Sequence, residues 1–389
     1  MRTSKPHSAA RVDAIAPFHV MAILAQAKAL EAAGRDIIHL EIGEPDFATP
    51  APIVEAGIAA LRAGRTHYTG ALGLPALREA IAGFYAARWQ ATVEPARIVV
   101  TPGASGALLL ALGLLAGPGD EVLMADPGYP CNRHFAAFCN ARAVTVPVDA
   151  GSGFQLTLES IERHASAATR AVLIASPSNP TGTTVSPDEL ARIHDWCRAH
   201  GVALIVDEIY LARTYDGSEY TAACWDDVFV VNSFSKYFLM TGWRLGWLAA
   251  PAWAMAALER LAQNLFLAAP TPAQHAALAA FLPDTLSELE ARKTELRTRR
   301  DFLLPALRER GFVVPVTPQG AFYLYADCSR FASDSQTFAS QLLDQAGVAA
   351  TPGIDFGSHH ASHHLRFAYT QPLPRLIEAM ARLDRFLQT

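Results

Sequence analysis

The stretch AVLIASPSNPTG, residues 171–182, opens with five apolar residues and then breaks into a turn holding two prolines, an asparagine and a glycine. A short apolar run bounded by turn signals reads as a strand buried on both faces. The same design recurs along the chain. RIVV (97–100) runs into TPGASG, EVLMA (121–125) into DPGYP, VALIV (202–206) into DEIY, and VFVVN (228–232) into SFSK, each followed by a longer helical pattern. That alternation predicts βα units around a mainly parallel central sheet flanked by helices. Ligands of open α/β sheets sit beyond the carboxyl ends of the strands, so the five turns are expected to converge on one crevice.

Past residue 251 the strand signal fades. AMAALERLAQNLFLAA (254–269) and TLSELEARKTELRTRRDFLLPALRER (285–310) read as long helices, the second with a mixed-charge face expected to be solvated. After Gly311 the segments FVVPV, AFYLYADC, GVAA and LRFAYT suggest a smaller α+β unit, and Pro50 and Pro52 punctuate the chain after IHLEIGEPDF. We expect a large domain over 48–286 and a small domain built from both chain ends, 1–47 and 287–389.

At 389 residues, 51% apolar and 18% charged, the chain is long enough to bury a deep site. Its 32 basic and 37 acidic residues give −5, with no basic run that would suit nucleic acid. The longest apolar run, ALLLALGLLAG (107–117), is too short to span a bilayer, and MRTSKPHSAAR lacks a signal peptide's apolar core, so a cytoplasmic protein without a membrane partner is expected. Five scattered cysteines without a CxxC pair suggest neither disulfides nor zinc. HHASHH (359–364) could pair histidines on one helical face, but no nearby cysteine or carboxylate completes a metal set, and it reads as a polar loop.

The strand ends carry the chemistry. They offer a lysine (Lys236) and an arginine (Arg244) inside the otherwise apolar SFSKYFLMTGWRLGW (233–247), a carboxylate (Asp207), phenols (Tyr129, Tyr210) and an amide (Asn179). TPGASG opening a helix adds backbone N–H groups and a positive dipole end suited to a phosphate. A ligand with a phosphate, a carbonyl and a ring nitrogen wanting an acid opposite it would engage all of these. Pyridoxal phosphate has those parts.

SFSKYFLMTGWRLGW, with a serine three residues before the lysine and an arginine eight after, resembles the lysine motif of class I/II aminotransferases of pyridoxal-phosphate fold type I. SPSNPTGT, DEIY, HYTGALGLPALREAI, GEPDF and LRFAYT resemble family segments in the family's order, so the likeness runs from about residue 37 to 370. It implies a transfer of the amino group of an L-amino acid to a 2-oxo acid by a ping-pong route through pyridoxamine phosphate. Lys236 would bind the cofactor as a Schiff base and shuttle the substrate's α-proton. Asp207 would keep the ring nitrogen protonated, Tyr210 and Asn179 would hydrogen-bond the phenolic oxygen, and Tyr129 would stack on the ring. Ser233, Arg244 and the backbone of Ala104 and Ser105, joined by Ser235, would cradle the phosphate. Arg366 in LRFAYT would clamp the substrate α-carboxylate, with Asn179 beside it, and Gly43 would let backbone approach the substrate.

The likeness further implies a cis peptide at Asn179–Pro180 and a homodimer in which Tyr68 reaches the partner's cofactor phosphate. Ser105 departs from the lysine that some aspartate-preferring relatives carry there, which speaks against an acidic substrate; histidines 359–364 are further candidates for substrate contact. The same residues would also serve a β-lyase, since both reactions begin by removing the α-proton. A cofactor-sensing transcription factor would need a DNA-binding domain ahead of GEPDF, for which residue 43 leaves no room.

Overall fold

The computed structural model describes residues 8–13, 15–17, 19–217 and 219–388; residues 1–7, the first part of the segment expected in the small domain, lie outside them. Its central sheet has seven strands: β2 (Ile98–Thr101), β3 (Glu121–Asp126), β4 (Arg142–Pro147), β5 (Thr169–Ala175), β6 (Ala203–Asp207), β7 (Phe229–Ser233) and β8 (Gly246–Ala249), in the order β2-β8-β7-β6-β5-β3-β4. β3, β4, β5, β6 and β7 pair in parallel, whereas β8 is antiparallel to both of its neighbours, β2 and β7. The first strand of the chain, β1 (Ile38–His39), lies in a separate two-stranded sheet with β10 (Val348–Ala349). A third sheet orders β11 (Thr351–Pro352), β12 (His364–Ala368) and β9 (Tyr323–Asp327), all antiparallel.

All five anticipated strands form. β4 and β8 escaped the reading for different reasons. β4 is an edge strand whose residues are mostly exposed or half-buried, so it lacks a continuous apolar run. β8 is four residues long and hidden inside the lysine segment, where the chain leaves β7, turns, and re-enters the sheet beside it with Ser233 opposite Gly246. The lysine segment is therefore the loop of a hairpin, and its two ends are pinned to adjacent strands.

Helices α1 (His19–Ala32), α2 (Ala51–Arg62), α3 (Pro75–Trp89) and α4 (Gly103–Leu115) precede the middle of the sheet. α4 packs on β7 and β8 and buries Ala107, Leu108, Leu110, Ala111 and Leu112, as its apolar sequence dictates. The expected helix over 254–269 is shorter, Met255–Leu265, and a second begins at Thr271. The chain breaks at Phe266, and Leu267 is left-handed (φ 62°). FVVPV forms only an isolated bridge, Val313 to Asp327.

The charged helix Pro283–Glu309 departs from expectation in one respect. Arg299 and Arg300 are buried, because Asp46 and Glu295 engage the first and Asp216 and Asp301 the second. Buried charges require such partners. The pattern of alternating charge does not reveal which face will be covered.

Candidate active site

The parallel register sets the strand ends side by side. Ala175 pairs with Asp207 and Asp207 with Val231, so the turn bearing Asn179, the DEIY turn and the lysine loop leave one edge of the sheet together. They open into a cavity of about 280 Å³. Its wall includes Gly43, Ala104, Ser105, Tyr129, Asn179 and Asp207, and also Tyr210, Ser233, Ser235, Lys236, Arg244 and Arg366. Every expected site residue is there except Tyr68, which is 83% exposed on the loop between α2 and α3. Histidines 359, 360, 363 and 364 do not line the cavity. Ala361–His363 forms a short 3-10 turn, and His364 stacks on Tyr325 with ring centroids 4.5 Å apart.

The lysine loop is held in an uncommon shape. Leu239 and Arg244 are both left-handed, at φ 56° and 54°, a conformation costing a non-glycine residue on the order of 1 kcal/mol. Phe234, Tyr237, Phe238, Leu239 and Met240 are buried and anchor the loop, whereas Arg244 is exposed, because the chain swings outward through Gly242 before Leu245 returns to the core. At the loop's base Ser233 Oγ donates to Leu245 O at 3.1 Å and accepts from Ser235 N at 3.0 Å. Lys236 Nζ donates to Gly43 O at 2.5 Å. Removal from water pulls the lysine down to about 8, with Arg366, Arg213 and Arg244 lowering it further and Glu44 opposing.

Asp207 closes β6 with its carboxyl buried and accepts from Ile209 N at 3.0 Å. Burial pushes it up to about 6, against the pull of that N–H. Tyr210 Oη and Tyr323 Oη share a hydrogen bond of 2.9 Å. Arg366, on β12, donates Nη1 to Asn179 Oδ1 at 3.0 Å and Nη2 to Glu41 O at 2.5 Å, while its buried Nε has no partner. The guanidinium lies 4.3 Å from the centroid of Tyr323. Asn179–Pro180 is cis, as expected. Two glycines are required by space. A Cβ on Gly103 (φ +72°) would stand 2.6 Å from Arg244 Nη2, and one on Gly43 would collide with the Tyr323 hydroxyl.

Tyr323, Glu44 and three residues of α1 (Val20, Met21, Leu24) also line the cavity and were not anticipated. Tyr323 reads in the sequence as one more aromatic of a buried strand, and α1 as an ordinary helix. Only the packing of β9 and α1 over the sheet edge brings them there.

The donor set suits pyridoxal phosphate. The start of α4, two serine hydroxyls and Arg244 offer an anion site, and among the described residues Arg244 hydrogen-bonds only Thr241 O. Asp207 is a buried acid that accepts from Ile209 N and forms no ion pair among the described residues, so a protonated ring nitrogen would supply a positive partner. Among the described residues Lys236, Arg244 and Arg366 hydrogen-bond carbonyl or amide oxygens and form no ion pair. Three cations facing one cavity, none of them in an ion pair among the described residues, call for an anionic ligand.

Comparison with known proteins agrees. Residues 35–383 match the family model described as aminotransferase class I and II. The chain is 39% identical over 376 residues to the valine–pyruvate aminotransferase of Mycobacterium tuberculosis, covering 96% of this chain and 97% of that protein. It is 34% identical to the aspartate aminotransferase of Geobacillus stearothermophilus, covering 98% of each. The crystal structure of an aminotransferase from Mycobacterium tuberculosis superposes with a TM-score of 0.94 at 38% identity, over 99% of this chain and 100% of that one. The chain belongs to the class I and II aminotransferases, and is an enzyme that uses pyridoxal phosphate to move an amino group from an amino acid to a 2-oxo acid.

Proposed function

We propose that the amino donor is an L-amino acid with an uncharged, apolar side chain. One observation carries this reading: the cations of the cavity already have duties, and the remaining wall is apolar apart from Glu44, Thr241 and Tyr323. Arg366 suits the α-carboxylate and Arg244 the phosphate, leaving Val20, Met21, Leu24, Ile42 and Leu108 to meet the side chain. A second carboxylate would lie against this wall with no cation of this chain to receive it. Ser105, where some aspartate-preferring relatives carry a lysine, supports the same reading.

When bound, pyridoxal phosphate supplies a carbonyl carbon that receives the amino group and a protonated ring that takes up the electrons left at the substrate α-carbon. Lys236 would hold the cofactor at its carbonyl and would serve as the base that carries the substrate's α-proton. Its lowered basicity leaves much of it neutral near pH 8. Asp207 holds the proton on the ring nitrogen. Arg366 grips the α-carboxylate by a planar fork, positioned by Asn179 Oδ1 and Glu41 O. Tyr210 and Asn179 would hydrogen-bond the phenolic oxygen, and Tyr129 would pack against the ring. Ser233, Ser235, Arg244 and the N–H groups of Ala104 and Ser105 would hold the phosphate.

The working unit we propose is a homodimer in which Tyr68 reaches the partner's phosphate; a phenol 83% exposed in one chain supports a role outside that chain. The division into a large domain (48–286) and a small one (1–47, 287–389) is supported by the three separate sheets. Five free thiols fit the reducing cytoplasm.

The test is a panel of amino donors against pyruvate and 2-oxoglutarate. Valine, leucine and methionine should outperform aspartate and glutamate by at least tenfold in kcat/KM, and a preference for aspartate would overturn the assignment. In the same preparation, borohydride should fix the cofactor to Lys236, as read by peptide mass spectrometry.

A further inference from the structure

Six residues beyond Asp207 and three beyond Tyr210, the 3-10 turn Leu211–Arg213 ends in a cation that the catalytic reading does not use. Residues three apart in such a turn lie one above the other, so Arg213 follows Tyr210 into the same layer of the fold. Its side chain is completely buried. Nε and Nη2 donate to Lys236 O at 3.0 and 2.5 Å, and Nη2 also reaches Tyr237 O at 3.4 Å. Nη1 has no partner. Among the described residues Arg213 forms no ion pair. The groups acting on it are Tyr210, Tyr215, Tyr237 and Glu290, and Glu290 already accepts from Arg88 at 2.7 Å and Tyr237 at 2.5 Å. An arginine keeps its proton even here, so this is a buried charge without a counter-charge.

What it faces gives the charge a use. Arg213 and Lys236 Nζ each lie 5.9 Å from the centroid of the same ring, Phe322. The charges acting on Lys236 are Glu44, Arg366, Arg213 and Arg244. Substrate carboxylate would neutralise Arg366, and phosphate would neutralise Arg244. Arg213 does not line the cavity, so no ligand there can quench it.

We propose that Arg213 is a positioning residue for Lys236, fixing the carbonyls of its left-handed loop and setting beside its amine a positive charge that persists in the empty and the loaded site. The inference rests on the reading of Lys236 as the cofactor lysine. Its consequence is that the amine stays a proton acceptor after the other two cations have been neutralised.

The test is competitive labelling of the full chain, stripped of cofactor, with acetic anhydride across pH, reading Lys236 by mass spectrometry. Arg213→Met should raise the labelling midpoint of Lys236 by about one pH unit, the effect of a unit charge at roughly 10 Å in an effective dielectric of about 20. Arg213→Lys, which keeps the charge but not the fork, should leave the midpoint near its parent value. In the cofactor-loaded enzyme, Arg213→Met should lower kcat by about 10²-fold with KM for the donor little changed, as expected when a reacting group is misplaced. If Arg213→Met does not fold, Arg213→Gln, which keeps an amide donor for the Lys236 carbonyl, carries the same prediction. An unmoved midpoint in a folded neutral variant, or a lysine variant that shifts as far as methionine, overturns the proposal. Borohydride label on another lysine would instead sink the reading of Lys236, leaving the labelling result to judge Arg213 separately.

Discussion

Replacing Asp207 by asparagine should make the cofactor-free protein more stable at pH 8 while removing most of its activity. The acid is pushed from 3.8 up to about 6 by burial, so the folded state binds its proton more tightly than the unfolded chain does. The sign follows from linkage: this contribution is fully present below the unfolded value of 3.8 and is lost as pH rises through about 6. A gap of about two pH units corresponds to about 3 kcal/mol of stability missing at pH 8. Asparagine can still accept from Ile209 N but carries no charge to bury. Glu208, raised to about 8 mainly by burial and further by Asp207, is relieved of a like neighbour, an effect of the same sign. Urea unfolding of the stripped full chain should therefore give matching stabilities near pH 4 and a variant more stable by about 3 kcal/mol at pH 8. In the loaded enzyme the same variant should lose most of kcat, since a neutral amide cannot hold the ring proton by charge. Equal stability at pH 8, or near-parental turnover, would refute the reasoning.

Arg366→Lys should raise KM for the amino donor and lower kcat/KM by about 10 to 100-fold, because a point charge replaces a planar fork and loses a charged hydrogen bond worth about 1.5–3 kcal/mol; cofactor affinity, followed by absorbance, should be unchanged. Tyr68→Phe should weaken cofactor retention by about tenfold with the dimer intact in light scattering. A fully active monomer would refute the cross-subunit role.

The sheet was legible because each of its interior strands is buried on both faces and so carries an unbroken apolar run. Legibility failed at the exposed edge β4, where that condition fails, and at β8, which is buried but only four residues long and follows directly on the apolar loop that introduces it. The buried pair Arg299 and Arg300 failed for a related reason: whether a charged helix face meets water or Asp46 and Asp216 is decided by a distant part of the chain.

The site was legible through groups at strand ends, since a parallel sheet brings those together whatever the helices do. Arg213 stood three residues past Tyr210 in plain view and carried no signal, because an arginine in a turn is ordinarily solvated. Its meaning depends on burial without a counter-charge, which only the packed fold reveals. The same asymmetry separates the cations of the crevice. On the proposed reading, Arg366 and Arg244 would be neutralised by ligand in the loaded enzyme, whereas Arg213, outside the cavity, would not. A fold that retains such a charge must draw on stability gained elsewhere, here the apolar anchors Phe234, Tyr237, Phe238, Leu239 and Met240 that surround the loop it holds. Stability and catalysis therefore compete at the buried charges of the crevice, and neutralising Asp207 should favour the first at the expense of the second.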